Sequence, residues 1–252
     1  DDSLSSCDSI STLISKTQII FLCVPTPMNK NGSCDLSIVE DVISKIDSAI
    51  QDKSDKIIII KSTVPPGVTE KLNNTYHKFN IIFNPEFLTE ANFIEDFKNQ
   101  NRIILGGLKT VTAKIKQIYI EIFPKAEIIE TDSTHAEMVK YFANTFLATK
   151  VSFANEMKMI CDKLDIDYNK VVEYAIYDDR LGDSHWSVPG PDGKLGFGGS
   201  CFPKDINALI SLASELGIDS ILLKSAWNTN LKVRPEKDWE KLKGRAISDD
   251  KD

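Results

Sequence analysis

The densest chemistry in the chain lies in ten residues, GFGGSCFPKD at 196–205. Three glycines, Gly196, Gly198 and Gly199, let the backbone approach a ligand closely, and a cysteine follows them at the threshold of a helix that Pro203 would open at its first position. Cys201 then sits beside unpaired backbone N–H groups and the positive end of a helix dipole, with Lys204 nearby in sequence. Both effects favour thiolate over thiol and make Cys201 a candidate nucleophile. A free cysteine is more often a small buried hydrophobe, but the glycines and the helix start reverse that expectation. Cys7, Cys23, Cys34 and Cys161 have no such setting and are read as structural, Cys23 within a strand, Cys161 within a long helix, and Cys7 and Cys34 in irregular segments.

Further clusters gain weight only in combination with this loop. Glu137, Lys140, Tyr141 and Asn144 recur at helical spacing, so Lys140 and Asn144 lie one turn apart and could jointly hold an oxygen, although such residues are usually solvated helix surface. The segment NPEFLTE at 84–90 follows a strand and offers Glu86 and Glu90, and the carboxyl ends of strands are where open α/β sheets bind ligands. Val24-Pro25-Thr26-Pro27 and STVPPG at 62–67 fall at two further strand ends, and alone would be turns. His77, His135 and His185 are isolated, which predicts no metal site. Trp186 could stack on a base, though a loop aromatic more often packs locally.

The elements that must position these groups alternate. Apolar, β-branched runs at 17–24, 56–60, 80–83, 102–105 and 126–130 read as strands, and helical periods at 35–50, 68–76 and 110–123 lie between them, with Asp35 as N-cap candidate for the first. This predicts an α/β fold, an incomplete Rossmann-type doubly wound parallel sheet over 1–130. A helical period free of Pro and Gly runs from 133 to 164, followed by helices at 169–177, 203–216 and 220–231. An all-helical domain is therefore expected over 131–232, with a charged tail at 233–252 that wraps the surface or frays. Of the 252 residues, 42% are hydrophobic and 27% charged, an ordinary globular balance, and the net charge of −7 argues against a nucleic-acid partner. No run approaches the length of a membrane span, and five cysteines without a CxxC pair suit reduced thiols in a cytoplasmic protein. The chain opens with Asp1 and enters a strand almost at once, which reads as an N-terminally incomplete protein.

In this order, STVPPG, NPEFL, the ExxKYxxN helix, Asp179-Arg180 and above all GFGGSCFPKD resemble motifs of the nucleotide-sugar 6-dehydrogenases, over about residues 17–232. The best-known members of that family oxidise UDP-glucose to UDP-glucuronate with two NAD+. The resemblance implies Cys201 as nucleophile, Lys140 and Asn144 as holders of the sugar oxygen, Asp205 as a partner orienting water or Lys140, and Thr63 with Glu86 near a hydrolytic water. It further implies Glu86, Phe87, Leu88, Glu90, Phe197 and Gly198 as substrate contacts and Arg180 as a contact across a homodimer. Val24, Pro25, Thr26, Pro27, Ser62, Thr63, Glu90 and Lys204 would line NAD. The cysteine has a clear chemical purpose: removing four electrons from one carbon requires the aldehyde to be retained between two hydride transfers, and a thiolate does this.

Two departures from the family pattern qualify these expectations. No G-x-G-x-x-G occurs, so weak NAD binding is expected of these 252 residues alone, and because larger members carry another α/β domain beyond the point where this sequence stops, the natural protein is expected to be either short or cut. Glucose, N-acetylmannosamine and mannose nucleotides all remain compatible substrates, with UDP-glucose favoured. A two-electron dehydrogenase of the 6-phosphogluconate or hydroxyacid kind would need no cysteine, and a non-catalytic module would not need the intact motifs.

Overall fold

A computed structural model of the protein describes residues 5–89 and 92–249. Two compact units emerge, one from Asp1–Thr26 and Leu36–Lys140, the other from Pro27–Asp35 and Tyr141–Asp252.

The first unit is built on β1 (Ile19–Leu22), β2 (Ile57–Ile60), β3 (Asn80–Phe83), β4 (Arg102–Gly106) and β5 (Glu127–Thr131), which lie side by side in sequential order. Strand alternation sorts the isoleucines: Ile58 and Ile60 of β2 enter the core on one face, Ile57 and Ile59 the core on the other. The first face is covered by α1 (Ile10–Lys16), α2 (Ser37–Ala49) and α3 (Val68–Thr75), the second by α5 (Lys109–Ile122). With both faces covered, the strands must be apolar throughout, which is why β2 reads IIII and is wholly buried.

The sheet is parallel-dominated as expected, with one antiparallel joint. β1, β2 and β3 are parallel, as are β4 and β5, but β3 meets β4 antiparallel through Phe83 and Gly106. A parallel return needs a crossover packed on the sheet, and the connection here holds only α4 (Phe93–Lys98), six residues of which none is buried. At the other end, α1 occupies a stretch for which the sequence predicts no element. Ser9 accepts the Thr12 N–H at 3.1 Å as its cap, and Ile10, Leu13 and Ile14 pack inward. The cap of α2 is Leu36, so Asp35 stands one residue outside that position.

The second unit is helical. It takes in α6 (Ser133–Lys163) from Tyr141 onward, α7 (Tyr168–Ala175), α8 (Phe202–Glu215) and α9 (Ile221–Val233). Its cores gather Ala148, Phe197, Ile206 and Ala226, and separately Ala154, Cys161, Tyr168 and Val188. The tail, expected to wrap the surface or fray, is packed through its described residues. Trp239 is 1% exposed with its ring 5.1 Å from that of Trp227, and Met28 exchanges backbone hydrogen bonds with Ala246 and Ser248, both 2.9 Å. Among the described residues no helix is long and apolar enough to cross a membrane.

Candidate active-site elements

In the helical unit, Cys201 occupies the N-cap position of α8, one position closer to the helix than expected, with no side-chain capping hydrogen bond and with Pro203 second in the helix. The residue is partly exposed, and its sulfur lies 3.9 Å from the Ser200 hydroxyl. The loop before it is fixed from several sides. Asn155 Oδ1 accepts the Gly196 N–H at 3.1 Å, and Asn230 binds both backbone groups of Phe197, accepting its N–H at 2.7 Å and donating to its carbonyl at 2.9 Å. Asp238 accepts the Gly199 N–H at 3.1 Å and is itself held by Arg234 Nε at 2.6 Å. Arg234 also donates to Asp192 at 2.6 Å and to the Leu195 carbonyl at 3.2 Å. These contacts explain two of the glycines: a Cβ on Gly196 would stand 2.3 Å from Asn230 Oδ1, and one on Gly198 2.4 Å from Arg234 Nη2. Phe197 itself is a core residue, edge-on to Phe202 at 6.0 Å.

One turn into α8, Asp205 is buried and divides its oxygens between two donors. Asn144 Nδ2 donates to Oδ2 at 2.6 Å and Lys204 Nζ to Oδ1 at 2.5 Å. Burial works against the Lys204 ammonium, but Asp205, with Cys34 and Cys201 also close enough to act on it, outweighs burial and raises its pKa. The Asn144 amide is thus oriented and Lys204 stays charged near the sulfur.

In the α/β unit, Lys140 is 3% exposed and its Nζ donates to the Glu86 carbonyl at 2.5 Å and to Glu86 Oε1 at 3.0 Å. Three residues earlier on α6, Glu137 is buried and accepts the Gly67 and Thr69 N–H groups at 2.6 and 2.8 Å, pinning the turn of STVPPG to this helix. Burial drives its carboxyl up to about 7, against the hydrogen bonds from Thr69 and Gly67 that favour the anion. Two strand-end loops are latched together: Thr26 Oγ1 donates to the Thr63 carbonyl at 2.7 Å and Ser62 Oγ to the Val24 carbonyl at 2.5 Å. These carboxyl ends of β1 and β2, presenting Val24, Pro25, Thr26, Ser62 and Thr63, fit the edge where an open α/β sheet receives a dinucleotide. Phe87 and Leu88 line a cleft of about 500 Å³ with Asp96, Asn101 and Arg102, and the Arg102 guanidinium sits 4.2 Å over the Phe87 ring.

The remaining expected residues fall elsewhere. Arg180 is exposed in a short 3₁₀ turn (Asp179–Leu181) and ion-paired to Asp178 at 2.5 Å. Glu90 lies outside the described residues. Trp186 is engaged locally, its Nε1 donating to the Gly182 carbonyl at 2.8 Å and its ring edge-on to Phe153. Cys23 directly follows β1 and is exposed, as is Cys7, so neither is a packing residue; Cys161 is buried. Sequence reasoning missed Asn155, Asn230, Arg234 and Asp238 as supports of the cysteine loop. The spacing of Asn230 and Arg234, i and i+4 at the end of α9, was the available signal.

Residues 1–125 match the UDP-glucose/GDP-mannose dehydrogenase family, NAD binding domain, and residues 134–232 match the central domain of the same family. The chain belongs to the UDP-glucose/GDP-mannose dehydrogenase family. It is 39% identical over 228 residues to a UDP-glucose 6-dehydrogenase of Rickettsia bellii, a match covering 88% of this chain and 51% of that protein. Among solved structures it resembles a UDP-glucose dehydrogenase from Pyrobaculum islandicum, with TM-score 0.82, 33% identity, and coverage of 90% of this chain and 53% of that one. A UDP-D-ManNAc dehydrogenase from Pyrococcus horikoshii is similar at TM-score 0.77 and 27% identity, with the same coverage. The chain spans about half the length of the curated relatives it matches.

Proposed function

We propose that the protein oxidises the C6 alcohol of a UDP-sugar to the carboxylate, converting UDP-glucose to UDP-glucuronate, with Cys201 as covalent nucleophile. The observation that carries this reading is Cys201 at the N-cap position of α8, at the end of a glycine loop braced at Gly196, Phe197 and Gly199, with Lys204 charged close by. Val24 to Pro27, Ser62 and Thr63, with Glu90 and Lys204, are the residues we assign to holding NAD+, which would supply an acceptor for one hydride at a time, so that two NAD+ would be needed for each sugar. Lys140 stabilises the oxyanion that forms as the alcohol loses its proton, and the Asn144 amide, oriented by Asp205, holds the same oxygen. Cys201 captures the aldehyde as a thiohemiacetal, which loses a second hydride to become a thioester. Water activated beside Glu86 or Asp205, with Thr63 nearby, then releases the carboxylate and regenerates the thiol. Phe87, Leu88, Phe197 and Gly198 are assigned to the nucleotide sugar.

The chain is proposed to work as a cytoplasmic homodimer, with Arg180 reaching the partner. Phe142, Phe146, Phe153 and Ile160 recur along α6 with 46% to 67% exposure, an apolar stripe suited to a second copy of the same helix. Mass spectrometry of the Cys201 peptide, after acid quench of the full-length protein turning over UDP-glucose and NAD+, tests the mechanism. A covalent glucuronyl adduct on Cys201 is expected, and turnover with an unmodified Cys201 at every quench time would refute it. The kinship to a UDP-D-ManNAc dehydrogenase makes UDP-N-acetylmannosamine the competing substrate, to be compared by kcat/KM.

A further inference from the structure

Lys61 follows β2, and its Nζ donates to Asn84 Oδ1 at 3.0 Å. That oxygen also accepts the Tyr119 hydroxyl at 2.6 Å, and Asn84 Nδ2 donates to the Ile104 carbonyl at 2.8 Å, so all the polar atoms of this buried amide are committed. Two residues further on, Lys140 grips Glu86 by both its carbonyl and its carboxylate. The three-residue segment 84–86 is therefore held by an ammonium group at each end. The charged and titratable groups that act on Lys61 are Glu86 and Cys23, which favour its charge, and Lys140, which opposes it.

We propose that Lys61 is a positioning residue for the Glu86–Lys140 pair, anchoring the segment through Asn84 and serving as the second cation beside the Glu86 carboxylate. The inference rests on the roles given above to Glu86 and Lys140. It has a consequence in pH: burial lowers the Lys61 ammonium to about 8, with Glu86 and Cys23 resisting and Lys140 adding to the fall. Tyr119, raised to about 12 by burial, stays protonated throughout that range, so the tether weakens as Lys61 itself deprotonates. Arginine in its place would keep the charge at every working pH.

The test is the pH profile of kcat for full-length wild type, Lys61→Met and Lys61→Arg, with the titration of isotopically labelled lysine Cε resonances followed in parallel. Lys61→Met should lower kcat by ~10-fold or more with KM for the nucleotide sugar within ~3-fold, the signature of a misplaced catalytic group rather than lost binding. Wild type should lose activity above about 8, and Lys61→Arg should retain it to higher pH. The Lys140 resonance should respond at the pH where Lys61 titrates, and that response should vanish in Lys61→Met; this readout needs no turnover. Wild type inactive on UDP-glucose would refute the proposed activity while leaving the resonance test intact. An alkaline limb identical in wild type and Lys61→Arg, or a Lys140 resonance indifferent to Lys61, would overturn the inference.

Discussion

Asp205 gives one oxygen to Asn144 in a buried bond and the other to Lys204 in a partly buried one. Asp205→Asn presents an amide N–H₂ to one of those donors and leaves the Lys204 ammonium without its anion. Breaking a buried pair in this way should cost about 3 kcal/mol or more in denaturant unfolding, and a loss below about 1 kcal/mol would mean the pair is not formed. Glu137 allows a signed prediction. Its carboxyl rises from 4.5 to about 7 in the folded protein. Within that window the native state holds a proton that the unfolded state has released, so stability falls as pH rises through it and levels off above. Glu137→Gln should flatten that slope. Because one of the two N–H groups at the start of α3 loses its acceptor, it should also cost about 1–3 kcal/mol at low pH. An unchanged pH dependence would contradict the assignment. None of this was legible in the sequence, where Glu137 has the spacing of an ordinary solvated helix residue; only the three-dimensional return of residues 67–69 to α6 gives it a role.

The cysteine loop acts at the scale of the element. Gly196 has φ of 67° and no room for a methyl group beside Asn230 Oδ1, so Gly196→Ala should destabilise the protein by about 2 kcal/mol or more. The same variant should slow alkylation of Cys201 by iodoacetamide, since the displaced loop leads directly into the cap of α8; alkylation at the wild-type rate would argue that the brace does not set the sulfur. Most elements were visible beforehand because their apolar periods are pure. β3 and α6 were predicted within a residue of their observed bounds, and the helix opening beside Cys201 within one residue. The exceptions have identifiable causes. α1 is only seven residues long and depends on the Ser9 cap and on packing rather than on a long period. The antiparallel β3–β4 joint depends on how α4 fails to bury a face, which no strand pattern reports.

At the scale of the whole molecule, membership of the UDP-glucose/GDP-mannose dehydrogenase family follows from both matched domains, and the ordered motifs had already pointed to it. The motifs carried Cys201, Lys140 and Asn144, whereas the residues bracing the cysteine loop, Asn230 near the end of α9 and Arg234 and Asp238 in the charged tail, belong to no such motif. The exposed stripe on α6 predicts that Phe146→Asp shifts the protein from dimer to monomer in light scattering, a charge in an apolar interface being poorly tolerated. A wild-type mass already monomeric at working concentration would remove the dimer from the account. The central claim is retention of the aldehyde on Cys201, and the stoichiometry of NADH formed per UDP-glucose consumed by the full-length protein tests it most directly, with Cys201→Ser as control. Two NADH per sugar, with the control stalled after the first oxidation, is the result predicted. One NADH per sugar, indifferent to the cysteine, would contradict it and leave a two-electron dehydrogenase.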